Sequence, residues 1–190
     1  MKLIDFKIAI QEKFEFEFTK DQKRLIGKLY GFLESDISRK IFVMKGYAGT
    51  GKTTSISAFV NCLWTTGRKA VLLAPTGRAA KVISVYSKKP AFTIHKKIYF
   101  PKKQSNGSVD FVLQPNKHRN TIFIVDEASM IPDSRQNQKL FDSSSLLDDL
   151  ISYVYSGHQC KIIFIGDTAQ LPPVKLNISP ALEQDTLMYN

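Results

Sequence analysis

The sequence predicts an α/β domain, a doubly wound parallel sheet organised around a phosphate-binding loop. Three observations predict it. Four short apolar runs, 41–44, 70–74, 121–125 and 161–165, have the length and composition of strands covered on both faces. Segments of helical period or composition separate most of them, which is the alternation that right-handed crossovers require. The octet GYAGTGKT at 46–53 fits G-x-x-x-x-G-K-[ST] and lies between the first apolar run and a helical stretch, the strand–loop–helix context that this motif needs.

Taken in order, residues 19–34 form a helix with Leu25, Ile26, Leu29, Phe32 and Leu33 on one face, and Thr19-x-x-Gln22 is a capping box at its start. The strand 41–44 feeds the loop, whose backbone N–H groups at Gly46, Ala48, Gly49, Thr50 and Gly51 curl around a phosphate. Lys52 reaches the β/γ-phosphates, and the hydroxyl of Thr53, with Thr54 beside it, stands where Mg²⁺ binds. The chain is therefore expected to bind ATP with Mg²⁺. A helix over 53–64, a strand over 70–74 and a helix over 77–86 follow. Residues 98–103 and 108–114 then flank Gln104-Ser105-Asn106-Gly107. Asn-Gly between strand-like arms signals a hairpin, because both residues tolerate positive φ. This excursion reads as an insertion, so the domain is expected to comprise 1–97 and 120–190 with 98–119 inserted. A strand over 121–125, a helix over roughly 139–155 and a strand over 161–165 complete the sheet.

Composition bounds the class. The 190 residues suffice for one domain with a buried core, and 43% are hydrophobic. Two cysteines, Cys62 and Cys160, lack metal-ligand spacing and imply a reducing compartment. The N-terminal residues are punctuated by charge and contain neither a signal-peptide core nor a membrane span, so a cytoplasmic protein is expected. Net charge is +10, but residues 37–109 contain no Asp or Glu and 14 Lys or Arg, leaving 13 basic against 17 acidic residues elsewhere, a balance of −4. One nucleotide does not need 14 cations. A surface neutralising several nucleic-acid phosphates, or a merely solvated basic face, accounts for the surplus.

Two further clusters lie at predicted strand ends. Asp126 and Glu127 follow 121–125, where one carboxylate can hold Mg²⁺ and its neighbour can orient or deprotonate an attacking water. Gly166-Asp167-Thr168-Ala169-Gln170 follows 161–165, where Gln170 can read the γ-phosphate and Pro172-Pro173 stiffens the next segment. The hairpin carries Phe100, Lys102, Lys103 and Phe111, a mixture suited to phosphate contact and base stacking, or to a solvated hairpin packed on the domain.

In order and spacing, GYAGTGKT, LLAPTGRAAK (72–81), Thr93-Ile94-His95, VDEAS and GDTAQLPPV resemble the motifs of superfamily 1B DNA helicases of the RecD and Dda type, over about residues 18–182. The resemblance implies the N-terminal RecA-like motor domain of a P-loop NTPase, translocating 5′→3′ on single-stranded DNA and acting at fork DNA. It implies that Gln22 contacts adenine, beside its capping role, and that Lys52, Glu127 and Gln170 serve catalysis. By the same resemblance Thr53 and Asp126 serve the metal, and Pro75, Thr76 and His95 line the strand track, although a histidine on a helix also serves plain packing. The hairpin falls where the family places its strand-separating pin. The family also has a second RecA-like domain that supplies arginine fingers. None is readable in these 190 residues, so ATP binding with feeble hydrolysis is expected from this chain alone. A PhoH-like RNA-associated ATPase, a P-loop kinase and a nucleotide-gated nucleic-acid-binding module without motor activity are the competing readings.

Overall fold

A computed structural model describes residues 2–14, 17–37, 39–47, 49–105, 107–131 and 145–167. It contains helices α1 (Leu3–Gln11), α2 (Lys20–Glu34), α3 (Lys52–Cys62), α4 (Gly77–Ser87), α5 (Ile94–Ile98) and α6 (Leu146–Ser156). The strands are β1 (Ile41–Lys45), β2 (Lys69–Ala74), β3 (Ala91–Thr93), β4 (Tyr99–Lys103), β5 (Val109–Leu113), β6 (Thr121–Val125) and β7 (Lys161–Gly166). The main sheet has the order β1-β7-β6-β2-β3 and every pairing in it is parallel; β4 and β5 form a separate antiparallel pair. This is the α/β P-loop fold.

Strand alternation builds two cores. Leu72, Ile122, Ile124, Ile163 and Ile165 point to the side covered by α1, α2, α3 and α4, while Val71, Leu73, Phe123, Val125, Ile162 and Phe164 point to the side covered by α5 and α6. Strands buried on both faces are the reason these runs read as continuously apolar. The capping box of α2 forms as its sequence requires: the Gln22 N–H donates to Thr19 Oγ1 at 3.3 Å and the Thr19 N–H to Gln22 Oε1 at 3.0 Å. Helix α6 starts on an equivalent box between Ser145 and Asp148.

Several expectations need correction. Helix α1 is not apparent in the charge-punctuated N-terminus, yet it buries Phe6 and Ile10 against α2 and α3, with the Phe6 ring edge-on to Phe59. Strand β3 and helix α5 occupy what the sequence leaves between 77–86 and the hairpin, and Ile98 ends α5 instead of opening the hairpin. Helix α3 stops at Cys62, and Leu63–Thr66 tightens into a 3₁₀ turn. Helix α6 begins at Leu146; residues 139–144 of the expected helix lie outside the described residues. Among the described residues no helix is long and apolar enough to cross a membrane.

The C-terminus of α2 is closed by a side chain from 126 residues away. The Lys161 ammonium donates to the carbonyls of Phe32, Leu33 and Ser35 at 2.7, 2.9 and 2.6 Å, and the Arg68 guanidinium adds a bond to Leu33 O at 2.8 Å. Lys161→Met keeps the stem and leaves those carbonyls short of a charged donor. It is expected to cost about 2–3 kcal/mol in urea titration. A loss below about 0.5 kcal/mol would mean that water satisfies the helix end equally well.

Candidate nucleotide site and nucleic-acid face

The loop after β1 folds as its glycines allow. Gly49 and Gly51 both have φ of 78°, a region that side chains with a Cβ enter at a cost, and Gly51 is the N-cap of α3. A methyl at Gly51 would also lie 3.0 Å from Gln22 Nε2. The loop is tied to β7 by the Gly46 N–H donating to Gly166 O at 3.3 Å, and Thr50 Oγ1 closes it on Tyr47 O at 2.8 Å. Lys52 Nζ folds back onto the loop's own carbonyls, Gly46 O at 2.5 Å and Tyr47 O at 2.7 Å, with the Asp167 carboxylate at 4.0 Å. The ammonium is thus held inside the loop's concavity, where a phosphate would compete for it.

Asp126 and Glu127 stand at the carboxyl end of β6, and the chain turns sharply there because Glu127 adopts φ of 53°. A cleft of about 390 Å³ collects Gly49, Gly51, Lys52, Thr53, Thr54, Asp126, Glu127 and Asp167. Asp126 is 8% exposed, and burial raises its carboxyl pKa to about 6; the Glu127 N–H donates to its Oδ1 at 3.0 Å and partly offsets this. The positive charge of Lys52 offsets less than burial adds, and a divalent cation, which Asp126 and the Thr53 hydroxyl would hold, would supply further counter-charge. The donor set therefore fits Mg²⁺.

Gln22 lies across Gly51 from this cleft. Its amide oxygen accepts the Thr19 N–H of the capping box while its Nε2 lies toward Gly51 of the loop. Ala48 and Gln170, with Pro172 and Pro173, lie outside the described residues. Val82 and Tyr86 of α4 also line the cleft. They escape sequence reasoning because an apolar residue on a helix gives no sign of which cleft it borders.

Strands β2 and β3 are neighbours, with Ala74 opposite Thr93. Pro75 and Thr76 therefore emerge beside His95 at the same sheet edge as the loop. Thr76 Oγ1 accepts from the Ala79 N–H at 3.2 Å and caps α4, while Thr93 caps α5; the exposed His95 ring sits 5.9 Å from that of Tyr99. The basic stretch is not one surface. Arg39, Lys40, Arg68, Lys69, Lys88 and Lys89 precede or open strands and so lie at the opposite edge, whereas Arg78, Lys81, Lys96, Lys97, Lys102 and Lys103 belong to α4, α5 and β4. The hairpin does not present its aromatics together either. Phe100 pairs with Val112 and Phe111 with Pro101, so the two rings occupy opposite faces, and Lys102 faces Asp110.

Residues 32–176 match the family described as AAA domain. The chain is 28% identical over 167 residues to the ATP-dependent RecD2 DNA helicase of Deinococcus radiodurans, covering 87% of this chain and 20% of that protein. It is 35% identical over 135 residues to the ATP-dependent DNA helicase dda of Enterobacteria phage T4, covering 70% and 28% respectively. With the RecD subunit of the RecBCD enzyme of Buchnera aphidicola it shares 32% identity over 160 residues, 73% of this chain and 24% of that protein. The chain thus spans between a fifth and somewhat over a quarter of the length of these relatives. A phosphate loop at one end of a five-stranded parallel sheet, carboxylates two strands away and these matches place the chain in the AAA domain family, among superfamily 1 helicase motor domains of the RecD and Dda type.

Proposed function

We propose that this chain is the N-terminal ATP-binding motor domain of an ATP-dependent 5′→3′ DNA helicase, coupling hydrolysis to movement on single-stranded DNA with a second RecA-like domain as its partner. The observation that carries this reading is the common edge: the cleft holding Lys52, Thr53, Asp126 and Glu127 opens at the same ends of the strands as Pro75, Thr76 and His95. Events at a γ-phosphate and at a nucleic-acid strand thereby act on one set of strand ends. RecD2 and Dda, both DNA helicases by name, support the substrate class.

In this mechanism the loop N–H groups and Lys52 hold the β- and γ-phosphates, and Lys52 exchanges the carbonyls of Gly46 and Tyr47 for phosphate oxygens. Glu127 orients the attacking water and takes its proton. Thr53 and Asp126 would hold Mg²⁺, which neutralises charge on the phosphates when bound. Gln22 borders the base, and Gln170 senses the γ-phosphate. Arginine fingers from the second domain are worth about 10³–10⁵ in turnover in such reactions, so hydrolysis by this chain alone is slow.

Six cations, Arg78, Lys81, Lys96, Lys97, Lys102 and Lys103, lie on α4, α5 and the hairpin. If all six contact phosphates, oligothymidine affinity should fall with a log–log salt slope no steeper than about −4, taking about 0.7 per contact on single strands. Fluorescence anisotropy across a salt series measures this. A slope near zero removes the nucleic-acid reading, and stronger binding of oligouridine than of oligothymidine favours an RNA substrate.

A further inference from the structure

The hairpin stands off the domain, and a buried polar contact lies at its root. Phe100, Val109, Phe111 and Leu113 are each more than a third exposed, so little of β4 and β5 packs on the sheet. A two-stranded hairpin is marginal by itself and bends easily. Its root is different. Tyr99, the first residue of β4, is 7% exposed, and its hydroxyl donates to Oδ2 of Asp149 at 2.5 Å, itself 9% exposed in the first turns of α6. Burial, with this hydrogen bond, pushes the Tyr99 phenol well above its ordinary range, so it stays protonated and remains a donor.

Apolar side chains pack beside that bond. Ile98 and Tyr99 pack in one cluster with Leu146, Leu147 and Leu150 of α6. The second arm closes on the same root: the Gln114 N–H donates to Ile98 O at 2.8 Å, and the Gln114 side-chain amide donates to Lys97 O. We infer that the Tyr99–Asp149 hydrogen bond seats the hairpin on α6, and that both are positioning residues for strand separation. This rests on reading the hairpin as the element that splits the duplex. A wedge works only if the force of the incoming strand at its tip is resisted at its base, and five residues of strand make a lever of about 16 Å. A charge-assisted bond in an apolar cluster resists that torque better than exposed contacts do. The seat lies on α6, which leads into β7, the strand that ends beside the phosphate loop at Gly166.

Tyr99→Phe and Asp149→Ala test this in two measurements. In this chain, each should raise hydrogen exchange of the amides of β4 and β5 by about tenfold or more while leaving α3 and ATP-analogue binding unchanged. In the protein carrying both motor domains, each should lower the number of base pairs opened per ATP at a fork and leave single-strand-stimulated ATPase intact. Unchanged exchange in the hairpin, or ATPase falling in proportion to unwinding, overturns the seating role. A variant with 104–108 cut to a minimal turn separates the two ideas. If it unwinds normally, the duplex-splitting reading fails. If it loses unwinding while Tyr99→Phe does not, only the seat fails.

Discussion

Glu127→Gln is expected to bind Mg²⁺·ATP within about threefold of the unaltered chain and to lose about 10²–10⁴-fold in turnover, the usual worth of a positioned general base. Glu127 lines the cleft beside a buried Asp126, and in the proposed mechanism it meets the attacking water without holding the nucleotide. Its glutamine keeps size and backbone but cannot take a proton. Lys52→Ala should fail differently. A charged donor to phosphate contributes about 1.5–3 kcal/mol, so binding should weaken by about 10–100-fold before any effect on chemistry. The alanine also frees Gly46 O and Tyr47 O, which the ammonium holds together. Titration with a fluorescent ATP analogue beside single-turnover phosphate release separates binding from chemistry, and equal loss of binding in both variants would refute this division of labour.

Much of the fold was legible because its signals were local. Each expected main-sheet strand sits within one residue of an observed one, since strands covered on both faces are unbroken apolar runs. Thr19 and Gln22 announced the start of α2 through cap chemistry that needs no tertiary partner. What was missed depends on contacts far along the chain. Helix α1 shows a buried stripe of only Phe6 and Ile10 among charges, and it is held by Phe59 and Tyr30, which the sequence does not tie to it. Three-residue β3 is too short to carry a period and exists because Leu72, Leu73 and Ala74 supply its ladder.

The nucleotide cleft was legible for the same reason: a glycine-rich turn and a strand-terminal carboxylate pair are each contiguous. The distribution of cations was not. Counting charge between residues 37 and 109 merges two opposite edges of the sheet, because a parallel sheet returns the chain through a helix and alternates successive loops between the edges. The interleaving of Phe100 and Phe111 with lysines likewise suggested one binding face, which the pairing of Pro101 with Phe111 divides into two.

Asp126→Asn should stabilise the nucleotide-free protein while weakening Mg²⁺·ATP binding. Burial raises the Asp126 carboxyl from 3.8 to about 6, so the folded chain holds this proton more tightly than the unfolded chain does. Below about pH 4 both states are protonated and the group costs nothing. As pH rises from about 4 to about 6 the unfolded chain releases its proton first, and stability contributed by this residue falls by about 3 kcal/mol, then stays level. Asparagine does not titrate, and its amide oxygen can still accept the Glu127 N–H, so the variant should lack that decline and melt about 6–12 °C higher at pH 7. The comparison is of melting temperature against pH for the two proteins, without nucleotide or divalent cation. Parallel curves would mean that the buried carboxylate is not the group opposing the fold. A divergence between pH 4 and 6, with Mg²⁺·ATP affinity lost in the variant, would identify Asp126 as a residue whose placement costs stability because a cation is meant to stand beside it.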